Sequence, residues 1–470
     1  MTRFHSVLVE DEPTAATETR AALEAAGFSV ALFTDASSAL SGTSVEPGPI
    51  DLLVLDRRLP LRHGNPASDG VGDDLLDALL QQQPDLVVIV FSGHTDLSHA
   101  QFAMAKRGIV SLRQNDIQFD RVTAFEKGQS LEFDTHLQEI HACLSQMEDI
   151  QLEVAIDSEP LEPLTKRLLR RVGFEFEGTS VKARPLAGGL TGSPVWLCDI
   201  EGTTGPVARA VVKRQTIRPR QGGFQSLLPA PLTAGTVSII NGFCGGFYVS
   251  VQQVAGAEPV PLLDLLASDP TAAAQLLRSL LVGLSEIKLG QSVNRPIAAI
   301  ASSFGEWDTM QARAAEHGIE VPPGSRIATT VVAPQHGDLH PGNVLAVGET
   351  PVVIDFDSQT DGSELLDAVA LLLGPLFHRD SPLRNGAWPS EEQCGDILGE
   401  TFLDGCPATE YYAEAIDWLI KRKRSDRELF AVLLAYVVRQ LKYDDVLEDV
   451  QAMGRAIAIA RWATENLSNT

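Results

Sequence analysis

Gln335-His336-Gly337-Asp338-Leu339-His340-Pro341-Gly342-Asn343-Val344-Leu345, followed by Val352-Val353-Ile354-Asp355-Phe356-Asp357, is the most informative stretch of the chain. It sets two acids and one amide close together in sequence. Asn343 follows Asp338 by five residues, and Asp355 follows Asn343 by twelve, enough for a strand, a turn and a return strand. Pro341 and Gly342 suit a tight loop that gathers these groups. Asp338 can accept the proton of an attacking hydroxyl and orient it. Asn343 offers a neutral oxygen and Asp355 a charged one, a donor set suited to Mg²⁺.

The segments upstream of this stretch fit the same chemistry. Gly188, Gly189, Thr191, Gly192 and Ser193 lie between two strand-like runs, where backbone N–H groups can fold over phosphates. Lys213 ends the apolar run 207–213, where a lysine would reach the α- and β-phosphates. Residues 251–256, including Gln253 and Val254, form an expected hinge whose backbone reads an adenine edge. Strand-like segments dominate from 181 to 254, and helical patterns follow from about 261. This predicts a small sheet lobe on a larger helical lobe.

These residues resemble the aminoglycoside phosphotransferase/choline kinase branch of the protein-kinase-like fold. The resemblance covers roughly 175–465 and rests on His336, Gly337, Asp338, His340, Pro341, Asn343, Ile354, Asp355 and Phe356. It is supported by a later structural Asp motif at Leu366-Asp367-Ala368-Val369-Ala370. It implies ATP and Mg²⁺ as cofactors and an alcohol as phosphoryl acceptor. The family's small-lobe glutamate has no counterpart, since no Asp or Glu occurs between Lys213 and Glu258. That departure leaves Lys213 expected to be unpaired. It also leaves open a nucleotide-binding pseudokinase scaffold, without phosphotransfer, as an alternative.

The N-terminal part reads differently. Apolar runs at 4–9, 28–33, 50–55 and 86–91 alternate with helical segments. Such runs predict a parallel sheet covered on both faces, with its chemistry at the carboxyl ends of the strands. Those ends carry Glu10, Asp11, Asp56 and Ser92. Three clustered carboxylates repel one another unless a hard cation bridges them, and Mg²⁺ is the natural one. A carboxylate held in this way can act as a nucleophile toward a phosphoryl donor.

Val7-Leu8-Val9-Glu10-Asp11-Glu12, the run from Asp51 through Asp56 to Leu59-Pro60, and Val90-Phe91-Ser92-Gly93 resemble a response-regulator receiver domain over roughly 4–147. The resemblance implies phosphorylation at Asp56, Mg²⁺ held by Glu10, Asp11 and Asp56, Ser92 as the switch hydroxyl, and a cognate histidine kinase as partner. The family's fifth-strand lysine and aromatic switch have no evident counterpart. Residues 108–115 offer Arg113 or Gln114 in the lysine's place, and 116–131 read as extra material.

The expected architecture is therefore α/β. A doubly wound, flavodoxin-like receiver spans 1–147, and a linker and helix span 148–174. A two-lobed α+β kinase-like domain spans 175–470, with its small lobe at about 175–258 and its large lobe at about 259–470. The 470 residues suffice for two or three cores, and the hydrophobic share of 44% is that of an ordinary globular protein. The formal net charge of −25, acidic in both parts, disfavours nucleic-acid and anionic-membrane partners. Five scattered cysteines, no apparent signal peptide and no apolar run of spanning length point to the cytoplasm. The basic run 421–424 reads as an exposed helix face, and the aromatics from Tyr411 to Tyr436 as helical core.

Overall fold

The computed structural model describes residues 4–43, 49–93, 108–155, 161–186, 195–218, 223–233, 237–254, 258–287 and 290–470. The chain divides into two compact units, 1–219 with 237–253 and 220–236 with 254–470.

The first unit opens with a five-stranded parallel sheet. Its order is Phe28–Phe33, Phe4–Val9, Leu52–Leu55, Val88–Ser92, Val122–Glu126. Strand residues alternate between two cores, as the two-residue period of a strand requires. Val7, Val9, Leu53, Leu55, Val88 and Val90 face one core, with Leu75, Leu76 and Leu79 of the helix Asp69–Gln82. Leu8, Leu52, Val54, Ile89 and Phe91 face the other, with Phe133, Leu137, Ile140 and Leu144 of the helix Ser130–Glu148. Burial on both faces explains why these strands read as unbroken apolar runs.

The structure corrects the position of the fifth strand. Residues Ile109–Leu112 and Ile117–Asp120 pair only with each other, as a separate hairpin. The strand that joins the sheet is Val122–Glu126, parallel to Val88–Ser92. The material expected to be an insertion thus contains the sheet's last strand. The expected linker also holds structure, because Gln151–Val154 pairs in parallel with the strand Ser180–Leu186.

The second core does not end at the receiver. It continues through Ile150 to Leu168, Leu169 and Val172 of the helix Pro163–Glu175. Beyond these it takes in Val181, Trp196, Val212 and Val249 of a six-stranded mixed sheet. That sheet runs Gln151–Val154, Ser180–Leu186, Val195–Gly202, Gly205–Gln215, Tyr248–Gln253, Val237–Ile240.

Polar groups reinforce the junction. Asp85, before the fourth receiver strand, accepts the backbone N–H groups of Cys244 and Gly246, both at 2.6 Å. Arg171, fully buried, donates to the carbonyls of Gly242 (3.2 Å) and Ser111 (3.1 Å) and pairs with Glu175 at 2.7 Å. The Phe119 and Phe243 rings meet at 5.8 Å. Asp85→Ala would leave two N–H groups near the core without acceptors. A loss of about 2–4 kcal/mol is expected, read as a lower denaturant midpoint.

The second unit carries two three-stranded sheets and a set of helices. The helix Leu365–Phe377 is buried on every residue, and apart from Asp367 its side chains are apolar all round, as a helix with no exposed face requires. Tyr411, Tyr412 and Tyr436 are buried as expected. The run 421–424 is not a simple exposed face. Arg422 and Arg424 donate to the two oxygens of buried Glu364, at 3.2 and 2.9 Å, and Arg422 lies 4.0 Å over the Trp418 ring. Among the described residues, no helix is long and apolar enough to cross a membrane.

Candidate phosphoryl-transfer sites

At the carboxyl ends of the receiver strands, oxygens of Glu10, Asp11 and Asp56 lie within 4.8 Å of one another. Glu10 and Asp56 are buried, and Asp11 is half-buried. Lys127 reaches into this cluster, with its Nζ 2.7 Å from Glu10 Oε2 and 2.7 Å from Asp56 Oδ2. Burial pushes the Glu10 carboxyl up to about 7, against the hydrogen bond from Lys127 and with help from the Asp56 charge. Burial also raises Asp11. For Lys127, burial works against the charge, but its bonds to Asp56 and Glu10 outweigh it and raise its pKa.

Lys127 corrects the sequence reading. It stands immediately after the true fifth strand and supplies the cation thought to be missing. Arg113 and Gln114 do not take this place. Both sit at positive φ (50° and 54°) in the hairpin turn, and Arg113 stacks 4.6 Å over the Phe174 ring. The usable signal was a lysine closing the run Val122-Thr123-Ala124-Phe125-Glu126, hidden because an inserted hairpin mimics the strand before it. The strand also carries an aromatic, Phe125, whose ring lies 6.3 Å from Phe133 and 5.7 Å from His136. Ser92 ends the neighbouring strand opposite Glu126; its side chain lies outside the described residues.

Asp56 is anchored on both sides. Its N–H donates to Val9 O at 2.9 Å, and its Oδ1 accepts the Arg58 N–H at 3.1 Å. Arg57 forks onto Asp73 at 2.7 and 2.9 Å, tying the following loop to the helix Asp69–Gln82. Mg²⁺ fits this oxygen set. Lys127→Ala should therefore lower the melting temperature without Mg²⁺, since two buried carboxylates lose their cation. Added Mg²⁺ should recover more stability in this variant than in the wild type. Thermal melts with and without the ion check this.

In the second unit, the strand Ile327–Gln335 delivers His336, and a reversing loop follows. Gly337 takes φ 81°, and a Cβ there would come within 2.2 Å of Ser358 O, so only glycine fits. Buried Asp367 holds the loop from beneath, accepting the N–H groups of His336 at 2.7 Å and Gly337 at 2.8 Å. His336 is fully buried, with its Nε2 2.9 Å from Ile354 O. Asn343 Nδ2 donates to Asp338 O at 2.8 Å, which leaves Asn343 Oδ1 as an acceptor. The hairpin Val344–Val347/Thr350–Val353 then returns the chain, and Ile354 N–H donates to Asn343 O at 3.0 Å. Asp355 follows directly, in the left-handed region at φ 64°. The backbone thus brings the Asn343 and Asp355 positions side by side across one hairpin. Two side chains able to carry positive charge approach the Asp338 carboxylate, His340 Nε2 at 3.9 Å and Arg439 at 3.9 Å. Burial lowers the pKa of His340, keeping the ring neutral, and its Nδ1 accepts the Gly342 N–H at 3.1 Å.

The expected nucleotide residues are only partly in view. Gly188, Gly189, Thr191, Gly192 and Ser193 lie outside the described residues. Lys213 lies near the end of the strand Gly205–Gln215, opposite Val195 and Ser250, and is 8% exposed. The expectation of an unpaired Lys213 does not hold, because the side chain is not free. Gln253 is exposed at the end of its strand, and Val254 is buried.

Comparison with known proteins fits both sites. Residues 7–112 match the response regulator receiver domain family, and residues 208–392 match the phosphotransferase enzyme family. The chain therefore joins a receiver domain to a phosphotransferase-family domain. Similar solved structures include a CheY-like receiver domain from Methanospirillum hungatei JF-1, at 19% identity and a TM-score of 0.22, over 30% of this chain and 98% of that one. A signal receiver domain of an HD domain-containing protein from Pseudomonas fluorescens Pf-5 shows 20% identity and a TM-score of 0.22, over 30% and 99%. A sensor protein from Polaromonas sp. JS666 shows 20% identity and a TM-score of 0.23, over 30% and 98%. No curated protein matches the chain.

Proposed function

We propose that this chain is a two-component-type signalling protein in the cytoplasm. Its receiver, phosphorylated at Asp56 by a histidine kinase, biases an ATP- and Mg²⁺-dependent phosphotransferase acting on an alcohol. The receiver spans 1–147, a linker and helix 148–174, and the phosphotransferase 175–470. Glu10, Asp11 and Asp56 hold the receiver's Mg²⁺, with Ser92 and Lys127 bonding the new phosphoryl group. The phosphotransferase uses Asp338 as base and Asn343 and Asp355 as Mg²⁺ ligands. Lys213, the segment 188–193 and the backbone of Gln253 and Val254 bind the nucleotide.

The observation that carries the catalytic half is the clamped loop. Asp367 fixes two consecutive N–H groups before Asp338, and Asn343 closes back onto the Asp338 carbonyl. Phosphoryl transfer depends on positioning and charge more than on covalent help, and this loop provides positioning. In the step, the acceptor oxygen bonds to the γ-phosphorus as the bond to the ADP oxygen breaks, and the acceptor's proton passes to Asp338. Mg²⁺, when bound, neutralises charge developing on the phosphates.

The regulatory half is supported by the single core running from the receiver helix Ser130–Glu148 into the mixed sheet. A second reading, a nucleotide-binding scaffold, draws on the missing acid between Lys213 and Glu258. Radiolabelled ATP separates the two. On the enzymatic reading, wild type transfers label to an acceptor, Asp56→Ala transfers it at an altered, signal-independent rate, and Asp338→Asn does not. Turnover undiminished in Asp338→Asn would sink the enzymatic reading. ATP binding without turnover in the wild type would favour the scaffold.

A further inference from the structure

We infer that the loop 241–247 of the mixed sheet is a relay, carrying the state of Asp56 to the residues that bind the nucleotide. This rests on the proposed function and names its regulatory route, which lies within the first unit. The loop joins the strands Val237–Ile240 and Tyr248–Gln253. The second of these pairs with Gly205–Gln215, with Ser250 opposite Lys213, and ends at Gln253. One proposed nucleotide residue thus closes this strand and another is paired to it. The receiver grips the loop at several points. Asp85 accepts the N–H groups of Cys244 and Gly246, both at 2.6 Å. Arg171 ties the Gly242 carbonyl to that of Ser111 in the hairpin 109–120, and the Phe119 ring of the same hairpin lies 5.8 Å from Phe243. A Cβ on Gly242 would come within 2.7 Å of Val110, and one on Gly245 within 2.8 Å of Pro49, so the grip has no slack.

Two observations make this grip a relay and not only an adhesive. The first is where the gripping segments lead. Asp85 stands just before the strand Val88–Ser92, and the hairpin runs through Arg121 into the strand Val122–Glu126. The starts of these strands are tied together: Val88 N–H donates to Arg121 O at 2.8 Å, and Arg121 Nη1 donates to Pro84 O at 2.5 Å. Their far ends lead to Ser92 and Lys127, the two residues proposed to bond the phosphoryl group. When Lys127 gives up Glu10 and the Asp56 carboxylate for that group, the strand is drawn at one end while its other end is fixed to the loop. Close-packed strands pass such a displacement on instead of absorbing it. The second observation is strain in the loop itself. Buried Phe243 is held at φ 60°, a left-handed conformation that a bulky side chain rarely adopts. Such a residue persists only where its surroundings over-determine it. Here those surroundings include Phe119 and the Asp85-bound amide of Cys244, both answerable to the receiver. A shift of the grip lets Phe243 relax, which gives the loop two states and the strand Tyr248–Gln253 two positions.

The test measures the affinity of the full chain for a non-hydrolysable ATP analogue with Mg²⁺, with and without beryllofluoride. Beryllofluoride is a stand-in for the phosphoryl group on Asp56, and the filled γ position of the analogue keeps it out of the nucleotide site. In the wild type, beryllofluoride should change the analogue's affinity about fivefold or more, and the analogue should change beryllofluoride affinity by the same factor. Asp56→Ala should abolish the effect. Phe119→Ala, which removes the ring contact, and Phe243→Gly, which removes the strain, should each bind both ligands but reduce the coupling to less than about twofold. Hydrogen exchange at Cys244 and Gly246 in the wild type should change when beryllofluoride binds, a reading that needs no variant to fold. Unchanged exchange there, full coupling in both variants, coupling that survives Asp56→Ala, or no coupling in a wild type that binds both ligands overturns the relay and leaves the proposed function standing. A wild type that binds no nucleotide analogue removes the nucleotide site and the relay together.

Discussion

Asp338→Asn is expected to lower phosphotransfer by about 10²–10⁴-fold, the range a positioned general base supplies. The change is well suited to the question because the loop depends on the main chain of residue 338 and not on its side chain. Asn343 Nδ2 and the His340 N–H both donate to the Asp338 carbonyl, and an isosteric amide leaves that carbonyl in place. Among the described residues, the carboxylate itself approaches His340 and Arg439, each at 3.9 Å, and is 23% exposed. Stability should therefore shift by no more than about 1–2 kcal/mol. A steady-state assay beside a melting curve checks both statements. A large fall in melting temperature would mean that the carboxylate holds the fold, and the loss of turnover could not then be assigned to chemistry.

Asp367→Ala is expected to do the opposite, damaging stability and turnover together. Asp367 is buried and accepts two consecutive backbone N–H groups, at 2.7 and 2.8 Å. Burial raises its carboxyl above the ordinary value, against the His336 charge and the two N–H groups. Truncation strands both donors at the base of the loop that carries Asp338, at a cost of about 1–3 kcal/mol each. A loss of about 2–6 kcal/mol should appear in denaturant unfolding. The loop would also lose its anchor, so kcat should fall even under conditions where the variant remains folded. Hydrogen exchange at His336 and Gly337 should quicken first, because those amides lose their acceptor. Unchanged exchange there would refute the clamp. On the proposed function, the contrast between Asp338 and Asp367 would separate a group that performs chemistry from one that positions it.

Much of the architecture was legible because it is local. Near-continuous apolar strands, each closed by a polar residue, announce a parallel sheet covered on both faces. The spacing of Asp338, Asn343 and Asp355 announces a loop and a hairpin. These signals depend on residues near one another in sequence, so they can be read in order along the chain. The reading failed where two segments competed for one role. Ile109–Leu112 and Val122–Glu126 both look like a last strand, and nothing local decides which one pairs with Val88–Ser92. The choice of the wrong strand displaced the lysine by fourteen positions, from Arg113 to Lys127.

The amino-acid sequence by itself determined the two domain types, the acid cluster at Glu10, Asp11 and Asp56, and the order of groups in the loop that carries Asp338 and Asn343. Tertiary structure alone decided that Lys127 lies between Glu10 and Asp56, that Asp85 and the helix Pro163–Glu175 fuse the receiver to the mixed sheet, and that Arg439 stands beside Asp338. The physical reason is the same in each case. These partners are separated by tens to hundreds of residues, and their meeting is fixed by which apolar faces bury each other, a property of the folded whole that no short window of sequence contains.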